Sequence, residues 1–342
     1  MERRTYLQSG TAVVGCLLVA GCLDDDDTED EANGDEENGE DETGDEENGE
    51  TQEESRDDTE IAAEYIDDAD RNLEQAISTF EDELDAVDSI EDGHFDISLI
   101  QSYIDDGESD LDEAAEYASQ DQRDEIDARR DLITFLREFV AVFESLDSGV
   151  EDIETADSYI DAERFSDAID RVDSAHSHFQ DASSSAEAAQ DAYADVDRDV
   201  LESLSDINPN ELQSAIDEMQ TIVDSMVPLA DGFASLISGL ELFLDGLEHF
   251  EREEWHSSYE RIEDSEDEFS DAVTAFRDGE EIAPGDIRDD FIEFTCAAEN
   301  FETAAGHWAA AARAAEDGDW DRADEESQLG NEALESDCEI GI

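Results

Sequence analysis

The chain has 342 residues, of which 106 are Asp or Glu and 17 are Arg, with no Lys, and its formal net charge is −89. Such a charge excludes a DNA- or RNA-binding role, because phosphates need basic partners, and it disfavours direct contact with anionic lipid. It also opposes compaction unless salt screens it, since at about 1 M salt the screening length falls to about 3 Å.

The first 22 residues read as an address and not as fold. Arg3 and Arg4 open a short basic region, an apolar stretch runs from Gly10 to Ala20, and Cys22 follows Val19-Ala20-Gly21. The stretch is too short to span a bilayer as a helix and has the length of a signal-peptide core. "RRTYLQ" at 3–8 resembles a twin-arginine export signal, and "VAGC" at 19–22 resembles a lipobox. The resemblance implies cleavage before Cys22, with residues 1–21 and their Cys16 discarded. It makes Cys22 the lipid-bearing N-terminus and the membrane a partner through that lipid.

Residues 22–59 are expected to form a disordered acidic tether. Between 24 and 60 there are 22 Asp or Glu and one base, Arg56, and "GDEENGE" occurs at 34–40 and again at 44–50. Like charges with Gly and Asn, and no large apolar residue, cannot order a backbone. Fully extended, the segment reaches about 120 Å. Abundant acids without Lys resemble the proteome of an extreme halophile.

The folded region is expected at 60–338, and its organisation is an internal repeat. Residues 131–182 slide ninety positions onto 221–272 without a gap. Phe143, Leu146, Gly149 and Val150 fall on Phe233, Leu236, Gly239 and Leu240, and Phe165, Arg171, Val172 and Phe179 fall on Trp255, Arg261, Ile262 and Phe269. Apolar residues step by fours and threes through 132, 136, 139, 143, 146, 150, 153 and 160, and again from Ala168 to Ala189. That coiled-coil-like spacing lines one face of a helix. The polar break Asp161-Ala162-Glu163-Arg164 between the two runs predicts an antiparallel helix hairpin.

Two weaker copies flank these. Residues 62–115 step from Ala62 to Ile90, turn at Glu91-Asp92-Gly93-His94 and resume at Phe95. Residues 287–334 step from Ile287 to Ala315, turn at Glu316-Asp317-Gly318-Asp319 and resume at Trp320. An aromatic thus follows every turn: Phe95, Phe165, Trp255 and Trp320. Each is expected to plug the closed end of its hairpin. "RFSDAIDRVDSA" at 164–175 and "GDWDRADEE" at 318–326 resemble the second helix of a tetratricopeptide repeat. The copies lie farther apart than that family's period and lack its closing proline, so the likeness implies hairpin geometry and no function.

Asn208-Pro209-Asn210-Glu211 reads as a helix start, and Pro228 lies inside a run that keeps phase across it, which predicts a kink and not an end. The acid-rich link 195–208 is the expected division between bundles at 60–200 and 201–342. Cys296 and Cys338 each lie 21 residues from Asp317, one on each side of the last turn. Positions equidistant from a turn face one another across an antiparallel pair, so a disulfide is expected there. Two buried thiols, or a metal pair lacking its other ligands, are the alternatives.

No converging chemistry stands out. Glu253-Glu254-Trp255-His256 holds a single Glu-x-x-His, whereas di-iron bundles need two and further glutamates. His176 and His178 do not share a helix face. No nucleotide loop or nucleophile elbow occurs. The expectation is therefore an all-α, non-enzymatic chain: four antiparallel hairpins of eight helices, packed as bundles or a short α-superhelix. No catalytic residue, metal site or cofactor is assigned. The expected function is a surface lipoprotein that acts by binding or spacing, with a protein partner at the cell surface. The alternative is a solute- or cation-binding lipoprotein serving an uptake system, which needs a pocket between hairpins.

Overall fold

A computed structural model describes residues 57–86, 97–204, 209–336 and 338. Arg3, Arg4, Cys16 and Cys22, the acidic stretch up to Arg56, the turn at 91–94 with His94, and Phe95 and Asn208 all lie outside the described residues. Nine α-helices account for almost all of what is described, with no strand among those residues. In chain order they are α1 (Asp58–Ala86), α2 (Ile97–Tyr117), α3 (Gln120–Asp161), α4 (Phe165–Asp195), α5 (Arg198–Leu204), α6 (Pro209–Glu251), α7 (Trp255–Ile282), α8 (Gly285–Glu316) and α9 (Trp320–Leu334).

The helix ends fall where the sequence breaks its stepping. Ser119 caps α3 in a reciprocal box: its Oγ accepts from the Gln122 amide, and the Gln122 side chain accepts from the Ser119 amide. Pro209 opens α6, and the buried Tyr193 hydroxyl donates to its carbonyl at 2.6 Å. Helix α6 continues through Pro228 to Glu251 without ending. Helix α5, additional to the eight expected, sits in the acid-rich link and buries Leu201 and Leu204.

Three turns share one cap. After α3, the Glu163 and Arg164 amides donate to the Ile160 and Tyr159 carbonyls. After α6, Glu253 and Glu254 repeat this on Phe250 and His249, and after α8, Gly318 and Asp319 do so on Ala315 and Ala314. This is the Schellman arrangement, which requires a left-handed residue just past the helix. That residue is Glu163 (φ 58°), Glu253 (φ 62°) and Gly318 (φ 78°).

The long helices lie side by side in chain order: α1 on α2, α2 on α3, α3 on α4, α4 on α6, then α6, α7, α8 and α9. Asn72 bonds Asp110 at 2.9 Å while Tyr65 stacks on Tyr117, so α1 and α2 run antiparallel. The apolar core does not part at 195–208, because α4 packs along α6 across that link. One cluster joins α1, α2, the first half of α3, the end of α4, α5 and the start of α6. The other joins the second half of α3, the first half of α4, the rest of α6, and α7 and α8. Val142, Ala182, Ala186 and Val223 lie between them. The core thus divides across the length of α3, α4 and α6, because all three are longer than α2, α3 and α6 by about twofold, and outrun it.

Glycine facing an aromatic ring sets the closeness of this packing. Cβ atoms built at Gly149 and Gly239 would fall into the rings of Phe179 and Phe269, the same pair ninety residues apart. Gly232 with Phe276 repeats the device between α6 and α7, Gly279 with Phe291 between α7 and α8, and Gly330 with Trp308 between α9 and α8. Helix α6 contains the one stretch among the described residues long and apolar enough to cross a membrane, Leu212–Glu251, and it is packed between α4 and α7.

Among the described residues two of the expected core positions are exposed, and Ile90 lies outside them. Ala168, Val172, Ala175, Phe179, Ala182, Ala186 and Ala189 are all buried. Val150 is 43% exposed. The first turn of α2 lies beside Glu144, which accepts from the Gln101 side chain, and Val150 sits beyond that point on α3. Trp320 is 56% exposed and plugs nothing, while Phe165 and Trp255 are half-buried. Its hairpin is closed instead by the small residues Ala314, Ala315 and Ala323, with Trp255 of the neighbouring hairpin packed against them.

Candidate functional site

The three Schellman turns lie at one end of the stack, because alternate helix ends meet there. The cap fixes the direction in which the chain leaves each helix, and the next residue is the post-turn aromatic. A cleft of about 610 Å³ opens at this end, lined by parts of α4, α6, α7, α8 and α9. Its apolar lining is Phe165, Leu244, Leu247, Phe250, Trp255 and Trp308.

The rings form a continuous path from core to surface. Trp308, 5% exposed, meets Phe250 edge-on at 5.3 Å between centroids. Phe250 meets Trp255 at 4.9 Å, and Trp255 meets the exposed Trp320 at 5.7 Å. Edge-to-face pairs at these distances hold ring orientations fixed. Trp308 is seated by Gly330, whose missing side chain leaves room for the indole edge.

Seven carboxylates complete the lining, including Glu163 and Glu253 from the left-handed turn positions and Asp324 from α9, and no Arg or His does. Glu248 pairs with Arg252, and Asp245 pairs with Arg261 at 3.0 Å, both cations lying outside the cleft. The potential inside is therefore negative, over a largely aromatic floor.

A smaller cavity of about 360 Å³ lies between α7, α8 and the start of α9. There the Arg313 guanidinium stacks over the Tyr259 ring at 3.8 Å and reaches Glu263 at 3.4 Å. Burial, then the neighbouring Glu302, Asp267 and Glu263, hold the Glu266 carboxyl above the usual range.

The sequence-derived candidates fall elsewhere. His256 faces Glu260 and Glu316 at 3.5 and 3.7 Å, not Glu253, which the turn points into the cleft. His176 lies 3.4 Å from Asp231, and His178 lies 3.6 Å from the buried Asp152, which also accepts from Arg171 at 2.9 Å. His307 bonds Glu326 at 2.9 Å, and His249 bonds Glu254. Among the described residues, no group of three or more His, Cys, Asp or Glu side chains converges as a metal site. Cys296 and Cys338 are joined as a disulfide with Cα atoms 5.8 Å apart, and Asn300 donates to the Ser336 carbonyl beside it. The bridge ties α8 to the segment that follows α9.

The cleft itself is not predicted from the sequence. Its signal is there in part: Phe165 and Trp255 are two of the post-turn aromatics. What periodicity does not carry is that α6 and α8 bring Phe250 and Trp308 beside them. Comparison with protein-family models, with curated proteins and with solved structures finds no match to this chain.

Proposed function

We propose that this protein is a lipid-anchored binding protein on the outer face of the cell membrane, with the cleft at the turn end of its helical stack as the contact site. The observation that carries binding is the cleft: a half-open concavity of this size with an aromatic floor is a form that small-ligand sites take. It favours capture of a solute over a role limited to spacing. The same end of the stack, with exposed Trp320 at its edge, also offers a surface to a protein partner.

Placement at the membrane is supported by the order of features at the start of the chain. Arg3-Arg4, the apolar stretch and "VAGC" ending at Cys22 come in the sequence an exported lipoprotein needs, and the acidic run follows at once. Repulsion along that run would hold the folded body away from an anionic surface, leaving the lipid to anchor it. Cell fractionation of Cys22→Ser tests this. The wild-type chain is expected in the membrane fraction in its shortened form, and the variant either released or uncut. A variant processed and retained like the wild type removes the anchoring reading.

A further inference from the structure

We propose that the cleft binds an organic cation, an alkylated ammonium or guanidinium group carrying an apolar body. This rests on the reading of the cleft as a binding site and adds the chemistry of what enters it.

Ring faces carry negative potential, and a cation seated against them and withdrawn from water is held by it. The cleft supplies Phe165, Phe250 and Trp255 as half-buried rings, with Trp308 at the buried end. This protein already uses such contacts elsewhere: Arg164 lies over Tyr159 at 4.2 Å and Arg313 over Tyr259 at 3.8 Å, each beside a hairpin turn. In both, the chain provides the cation. In the cleft, rings and seven carboxylates are gathered; Glu248 and Asp245 pair with arginines outside it, and the lining itself includes no cation to meet the other five. Charge complementarity therefore calls for one from outside. An inorganic ion satisfies only the carboxylates and leaves the rings wet. A neutral apolar molecule satisfies only the rings. An organic cation satisfies both, and the volume of about 610 Å³ leaves room for its body.

Acids abound on this chain, so the selective element is the rings. At about 1 M salt the screening length is about 3 Å, and carboxylates then act only on what touches them. Adsorption to a charged surface disappears under those conditions, whereas ring contact and apolar burial persist.

The test titrates the purified mature protein with benzyltrimethylammonium and with its uncharged isostere neopentylbenzene, by calorimetry and tryptophan fluorescence, at low and molar salt. The cation is expected to bind at one site about tenfold tighter than the isostere, with affinity retained in molar salt. Trp255→Leu is expected to weaken the cation about tenfold while the circular dichroism spectrum stays native. An arginine-containing octapeptide forms a parallel arm: tighter binding of the peptide than of the free cation assigns the group to a partner protein's side chain, and the reverse assigns it to a free solute. Equal binding of cation and isostere overturns the cation and leaves the binding site standing. Binding lost at molar salt, or unchanged in Trp255→Leu, reduces it to surface adsorption. No binding of any probe to natively folded protein removes both readings.

Discussion

At the scale of single residues, the turns show a position held against its intrinsic preference. Glu163 and Glu253 occupy the left-handed region, where the third turn has Gly318. For a residue with a Cβ this conformation costs about 1–2 kcal/mol, while Gly gives back part of that as unfolded-state entropy. Glu163→Gly and Glu253→Gly are therefore each expected to stabilise the fold by about 0.5–1 kcal/mol. Thermal unfolding in molar salt checks this, since screening there removes the effect of deleting a charge. Gly318→Ala should move the other way by a similar amount, and a pair of glutamate variants that lower the midpoint would show that the carboxylates themselves matter to the turns. Sequence placed all three turns correctly, because the stepping of apolar residues stops there. It gave no sign of the strained glutamates: only Gly318 advertises a left-handed position.

Between elements, the repeat shows what a sequence alignment can and cannot reveal. Sliding the chain by ninety residues aligned Gly149 with Gly239 and Phe179 with Phe269. That each glycine receives the phenylalanine of its own hairpin requires the antiparallel register, which periodicity alone does not fix. The equidistance of Cys296 and Cys338 from Asp317 did carry register, and the two sulfurs are joined. The plug expected of Trp320 failed because alanines close that hairpin, and periodicity marks position without marking the volume left to fill. A Cβ at Gly239 would lie 2.6 Å from the Phe269 ring. Gly239→Ala, and likewise Gly149→Ala, should destabilise by about 1–3 kcal/mol through overpacking, despite the better helix propensity of Ala. Gly306→Ala is the control, since its nearest neighbour is the movable Glu266 carboxylate at 3.4 Å. Denaturant midpoints are the measurement. Equal effects at Gly306 and Gly239 would mean that the rings move aside freely and that the glycine–ring contacts do not set helix spacing.

Across the whole molecule, a modest core is set against a large repulsion. The sequence made both legible: alanine dominates the inner face of α4, and acids fill the outer faces. What it concealed is the division of the core across the long helices, since a break in composition at 195–208 coincides with the short helix α5 and not with a gap in packing. Alanine burial removes little apolar area per residue, so the margin that opposes self-repulsion is thin. The 17 Arg cannot offset 106 acids, and most of the described ion pairs, such as Arg137 with Asp105 and Glu108, sit where water reaches them. Salt then decides the balance. Between a few millimolar and about 1 M the screening length falls from tens of ångströms to about 3 Å, so repulsion between neighbouring helices fades over that range. The thermal midpoint should climb steeply up to about 1 M sodium chloride and more slowly beyond, where only exclusion of salt from apolar surface still adds. Helical circular dichroism should fall at a few millimolar and return when salt is restored. Sucrose strengthens burial without screening, so it should recover less of the signal than salt of equal molarity. A spectrum that stays fully helical from molar salt to a few millimolar, with an unmoved midpoint, would show that packing between α3, α4, α6 and α7 outweighs the charge of the molecule unaided.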